Sequence, residues 1–79
     1  MYLDIGNDII LNWDDVLIIL TEETALKDER ISKLIKEGKI ANPDTVNKIH
    51  SYIIVKRKDI EDVYISSFTT QTLIKRFVI

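Results

Sequence analysis

Five consecutive large apolar residues, Val16-Leu17-Ile18-Ile19-Leu20, leave this chain little freedom in how it folds. The run has the length of a strand and falls far short of the ~20 apolar residues that span a bilayer. It does not alternate with polar residues, so a strand built from it needs cover on both faces. A domain this small hides only about 60% of the surface its unfolded chain exposes. Yet 46% of its 79 residues are hydrophobic, many of them Ile, Leu and Val. The surplus predicts self-association: one face of the run meets helices of its own chain, the other a neighbouring subunit.

Strand patterns flank the run. Tyr2-Leu3-Asp4-Ile5 alternates, Gly6-Asn7-Asp8 has the chemistry of a tight turn, and Ile9-Ile10-Leu11 reads as the return strand. Asn12-Trp13-Asp14-Asp15 is a second turn leading into Val16–Thr21, and Thr21-Glu22-Glu23-Thr24 reads as a polar break. Ile31, Leu34 and Ile35 then recur at helical spacing. Asp28 and Glu29 suit the start of that helix and Gly38 its end, although Ala25-Leu26-Lys27 could equally form its first turn. Lys39 to His50 carries the breaker cluster Asn42-Pro43-Asp44 and has no clear period. Ser51–Lys56 and Val63–Ser66 read as strands joined by a charged loop, Arg57–Asp62. Thr69 caps a final helix from Thr70 to about Phe77, with Leu73, Ile74 and Phe77 on its apolar face. The expected fold is one α+β domain over residues 1–79, a small mainly antiparallel sheet in the order β-β-β-α-β-β-α. Its helices are expected on one face, and the other face is sealed by association.

Chemistry-bearing patterns are sparse. Without cysteine there are no disulfides and no cysteine zinc sites. His50 is the one histidine, which argues against a transition-metal site and against acid–base catalysis. Asp14 and Asp15 are adjacent, so their side chains diverge rather than converge on one atom. No Gly-rich phosphate loop and no nucleophile elbow occurs. The expectation is a non-enzymatic protein without cofactor or metal. With no leader pattern and no apolar span, a cytoplasmic location without membrane contact is expected.

The formal net charge of −2 conceals an asymmetry. Residues 1–29 hold one base against eight acids, and residues 30–79 hold ten bases against five acids. Lys48, Lys56, Arg57 and Lys58 form the candidate nucleic-acid contact, with Lys75 and Arg76 as further cations. The same asymmetry suits head-to-tail packing of an acidic edge on a neighbour's basic edge.

Ile5-Gly6-Asn7-Asp8, Ser51-Tyr52-Ile53-Ile54-Val55, and Val63-Tyr64-Ile65-Ser66-Ser67 followed by Thr72-Leu73-Ile74-Lys75-Arg76 resemble the RemA and RemB regulators of bacterial extracellular-matrix genes, the RemB branch most closely. The likeness spans nearly the whole chain. It implies a ring-like homo-oligomer that regulates matrix and biofilm genes and contacts DNA through many weak, repeated cationic sites. Two positions depart from the pattern. Asp14 stands where the RemA branch carries an arginine, and Lys48-Ile49 stands where it carries two. The resemblance therefore implies fold and assembly more firmly than DNA contact. An oligomeric module that engages a protein partner, such as a related regulator, without binding DNA is the alternative.

Overall fold

The computed structural model describes the backbone of residues 1–78 and the side chains of residues 1–76. Among them the strands are β1 (Tyr2–Gly6), β2 (Ile9–Asn12), β3 (Val16–Thr21), β4 (Ser51–Arg57), β5 (Ile60–Ser66) and β6 (Phe77–Val78). The helices are α1 (Glu22–Lys27), α2 (Glu29–Lys36) and α3 (Thr70–Lys75), with a single 3₁₀ turn at Trp13–Asp15. The class is α+β and every pairing between these strands is antiparallel, as expected.

The arrangement of layers differs from the expectation. The strands form two three-stranded sheets, β2-β1-β6 and β3-β4-β5, rather than one. The cause lies in β4, where Ser51 to Val55 are all buried, so both of its faces are covered by its own chain. Its alternation sends Ile53 and Val55 into a cluster with Leu3, Ile5, Leu11 and Leu73, from the other sheet and α3. Tyr52 and Ile54 enter a second cluster with Ala25, Ile31, Val63 and Ile65, beneath α1 and α2. The helices thus lie on opposite faces of β3-β4-β5, and the expected open face is closed by the β1–β2 hairpin. Half-buried Trp13 also packs on this hairpin-side core. Each fully buried Leu or Ile, such as Leu3, Ile5, Ile53 and Leu73, contributes about 2 kcal/mol.

Local chemistry explains the elements. Asn7 and Asp8, at φ 54° and 63°, form the two-residue hairpin turn that matches strand twist. Gly6, at φ 93°, sits against the Phe68 ring, which would lie 3.1 Å from an added Cβ. The Asp28 side chain accepts from Ile31 N–H and caps α2, and Thr69 caps α3 through Thr72 N–H. The Thr21–Thr24 segment read as a break is instead the cap and first turn of α1, with Thr21 accepting from Thr24 N–H. The expected Arg57–Asp62 loop shrinks to Lys58-Asp59, Lys58 taking φ 58°. The last helix stops at Lys75, and Phe77–Val78 pairs with β1. The Phe77 side chain, assigned to that helix's apolar face, lies outside the described residues.

The two lateral edges of β3-β4-β5 are unlike. Beside β5, Val63 N–H donates to Lys39 C=O and Ala41 N–H donates to Val63 C=O, making Lys39–Ala41 a short parallel addition. Buried Asn42 extends it: its amide accepts from Ile65 N–H at 2.8 Å and donates to Ile65 C=O at 2.9 Å. Beside β3 nothing comparable occurs. Leu17 to Leu20 make no backbone hydrogen bond beyond the ladder to β4 among the described residues. The register slips between Val16 and Ile18, and Leu17 and Ile18 are 55% and 47% exposed.

Candidate nucleic-acid interface

The cations singled out in the sequence do not converge. Lys56 and Arg57 end β4 and Lys58 occupies the turn beyond it, whereas Lys48 lies in the loop that enters β4 from the other end. The seven residues of β4 span about 20 Å at the usual strand rise, so one copy carries two separated cationic points.

The hairpin tip is charge-balanced as well. Arg57 donates to the Asp15 carboxylate at 3.3 Å, from the end of β4 to the turn that enters β3. Lys56 stands opposite Glu61 in the β4–β5 register, and Glu61 itself holds Arg30 from α2. The neighbouring Asp59 adds a further carboxylate. Arg76 is engaged too, bonded to Asp4 at 2.6 Å and stacked 4.5 Å over the Phe68 ring. The Asp4 carboxyl is held below its ordinary pKa, first by the Gly6 N–H it accepts at 2.9 Å and then by Arg76.

Each arginine is therefore tied to a carboxylate. Lys36, Lys39, Lys48, Lys56, Lys58 and Lys75 have no ion-pair partner among the described residues. Lysine offers phosphate a point charge, not the planar fork that reads a guanine edge. What this surface can do is make weak, sequence-independent backbone contacts. Lys36 and Lys39 were not among the sequence candidates. The signal was present, since Lys33, Lys36 and Lys39 recur every third residue through the end of α2. The position of Lys39 beside β5 becomes visible only in the fold.

The other chemical candidates have structural roles. Asp14 belongs to the 3₁₀ turn, where its N–H donates to Asn12 Oδ1 at 3.0 Å. His50 is exposed and its backbone bridges the sheet to α1, donating to Ser66 C=O and accepting from Glu22 N–H. Burial raises the Tyr52 pKa, with the Glu22 charge adding to it. A cavity of about 170 Å³ opens between β2 and the β4–β5 hairpin, rimmed by Asp15, Arg57 and Asp62. Among the described residues no three His, Asp or Glu side chains converge on a metal position, and no helix is long and apolar enough to cross a membrane.

A scan against protein-family models gives no match, and neither does a search of curated proteins.

Proposed function

We propose that this chain is a non-enzymatic, cytoplasmic regulator of the RemB kind, assembled from several copies into a ring that touches DNA at many weak points. The observation that carries the reading is the uncovered β3 edge with exposed Leu17 and Ile18. An apolar strand edge left open in a monomer is a template for another chain. Repetition then matters for DNA: Lys48, Lys56 and Lys58 are exposed and have no ion-pair partner among the described residues, and a ring would repeat them along a duplex. Lysine contacts to phosphate position such a complex without reading bases. The matrix and biofilm genes implied by the RemA and RemB resemblance are the proposed targets.

A second reading is favoured by the Asp15–Arg57 pair, which sets a carboxylate beside the one arginine at the hairpin tip. The oligomer would then bind a protein partner, such as a related regulator, rather than DNA.

Salt-titrated fluorescence anisotropy with a short duplex separates the two. The DNA reading predicts affinity that falls steeply with salt, by about 0.9 decades per decade of salt for each phosphate neutralised. Lys48→Ala and Lys58→Ala lower both affinity and slope, and Arg57→Ala has the smaller effect because Asp15 already holds that side chain. No binding in low salt removes DNA from the account and leaves the partner reading.

A further inference from the structure

Successive side chains of β5 point to opposite faces, and the alternation puts a carboxylate on the face turned toward the β1–β2 hairpin. Val63 and Ile65 belong to the core beneath α1 and α2, while Tyr64, on the other face, packs on the hairpin-side core. Asp62 shares that face with Tyr64 and stands opposite Val55 of β4, itself buried in the hairpin-side core. Asp62 is half-buried. Arg57 is its diagonal neighbour on β4, a separation that a long side chain can bridge. The guanidinium turns to Asp15 instead, and Asp62 has no ion-pair partner among the described residues.

Asp62 also lines the cavity of about 170 Å³ between β2 and the β4–β5 hairpin. Leu11, Val55 and Tyr64 give that cavity an apolar wall, and Asn12, Asp15 and Arg57 complete its polar lining. Two carboxylates against one guanidinium leave it with one negative charge in excess. The excess sits on Asp62, because Asp15 and Arg57 neutralise each other. An anion would have to displace Asp15 from Arg57 and would face Asp62 as well. A cation meets an unpaired carboxylate without breaking a bond, and a hydrogen bond between ionised groups is about twice as strong as a neutral one. The space equals about six waters at ~30 Å³ each. It is smaller than the roughly 300–1,000 Å³ of sites that hold drug-sized ligands.

The geometry points to a binding site for a small organic monocation, a primary amine carrying a compact apolar body of about five carbons. Its ammonium donates to Asp62, and its body packs on Leu11, Val55 and the Tyr64 ring. No residue of β3 lines the cavity, so the site belongs to a single copy and stands apart from assembly and from DNA contact.

Titration of the isotope-labelled protein with isoamylamine at neutral pH, followed through backbone amide chemical shifts, tests the assignment. Isoamyl alcohol keeps the branched body without the charge, and isovalerate reverses the charge. The amine is expected to give saturable shifts at Leu11, Val55, Asp62 and Tyr64, with the alcohol and the acid each weaker by about tenfold or more. Asp62→Asn should weaken the amine about tenfold. Arg57→Gln leaves Asp15 and Asp62 both unpaired and should tighten it. Both altered side chains lie outside the buried core, so circular dichroism of each variant should match the wild type. Equal affinity for amine and alcohol, or unchanged amine affinity in Asp62→Asn, would overturn the assignment. So would tighter binding of isovalerate, which would give the cavity to Arg57 and an anion. An absence of localised shifts with all three compounds would leave no site there.

Discussion

The β5 edge and the β3 edge bound the same sheet and solve the same problem in opposite ways. At β5 the chain closes itself, with the Lys39–Ala41 backbone followed by the side-chain amide of Asn42 standing in for a further peptide group. At β3 it leaves four apolar residues on an edge that no other strand pairs with among the described residues, flanked by acids. A free edge is a hazard that folded proteins commonly blunt with charge, proline or cover. Here the blunted edge shows that this sequence can close a sheet, so the open one fits the proposal that another copy covers it.

The comparison breaks most readily at Asn42. Asn42→Ala leaves the Ile65 N–H and C=O buried without partners, so it is expected to cost about 3 kcal/mol in urea unfolding. A loss under ~1 kcal/mol would mean that β5 is not held by this cap. Thr45 supports the cap by accepting from the Asn42 amide at 2.9 Å and donating to Asn42 C=O at 2.8 Å. Thr45→Ala should therefore cost about 1 kcal/mol, part of the Asn42 effect and not additive with it. On the open edge the expected signature is inverted. Ile18→Lys should change the stability of the dilute monomer by less than about 0.5 kcal/mol and abolish assembly, because its side chain is already half exposed.

The smallest effect belongs to the Asp4–Arg76 pair, far from either edge. Because the folded state lowers the Asp4 pKa, its contribution is present above the ordinary carboxylate value of 3.8 and is lost as pH falls through the lower folded-state value. Asp4→Asn should flatten that acid limb without altering stability's pH dependence near neutrality, measured as the urea midpoint against pH.

Strands and caps were legible because they are local. β-Branched runs, the Asn7-Asp8 turn, the Ile31–Leu34–Ile35 stripe and the Thr69 cap all act within a few residues. α1 was missed because six residues that bury only Ala25 leave no apolar stripe to read. The layering was missed for a different reason. Periodicity marks β4 as a strand, but nothing in Ser51–Val55 says that the β1–β2 hairpin will fold back over one of its faces. Asn42 read as a breaker because its partner, Ile65, lies 23 positions away. The surroundings of the candidate cations were hidden in the same way. Lys56-Arg57-Lys58 is a visible charge cluster, but the Asp15 that neutralises Arg57 is 42 positions distant. A run of charges along a sequence does not report the carboxylates that folding sets beside it.

Backbone amide hydrogen exchange on the wild type, compared between concentrated and dilute solution, tests the central claim most directly. The account predicts that outward-facing amides within Leu17–Leu20 are protected when concentrated and exchange rapidly on dilution, while Val63 and Ile65 stay protected in both. Exchange of the Leu17–Leu20 amides that is fast at every concentration would mean that no second copy covers the β3 edge, and the account would fall.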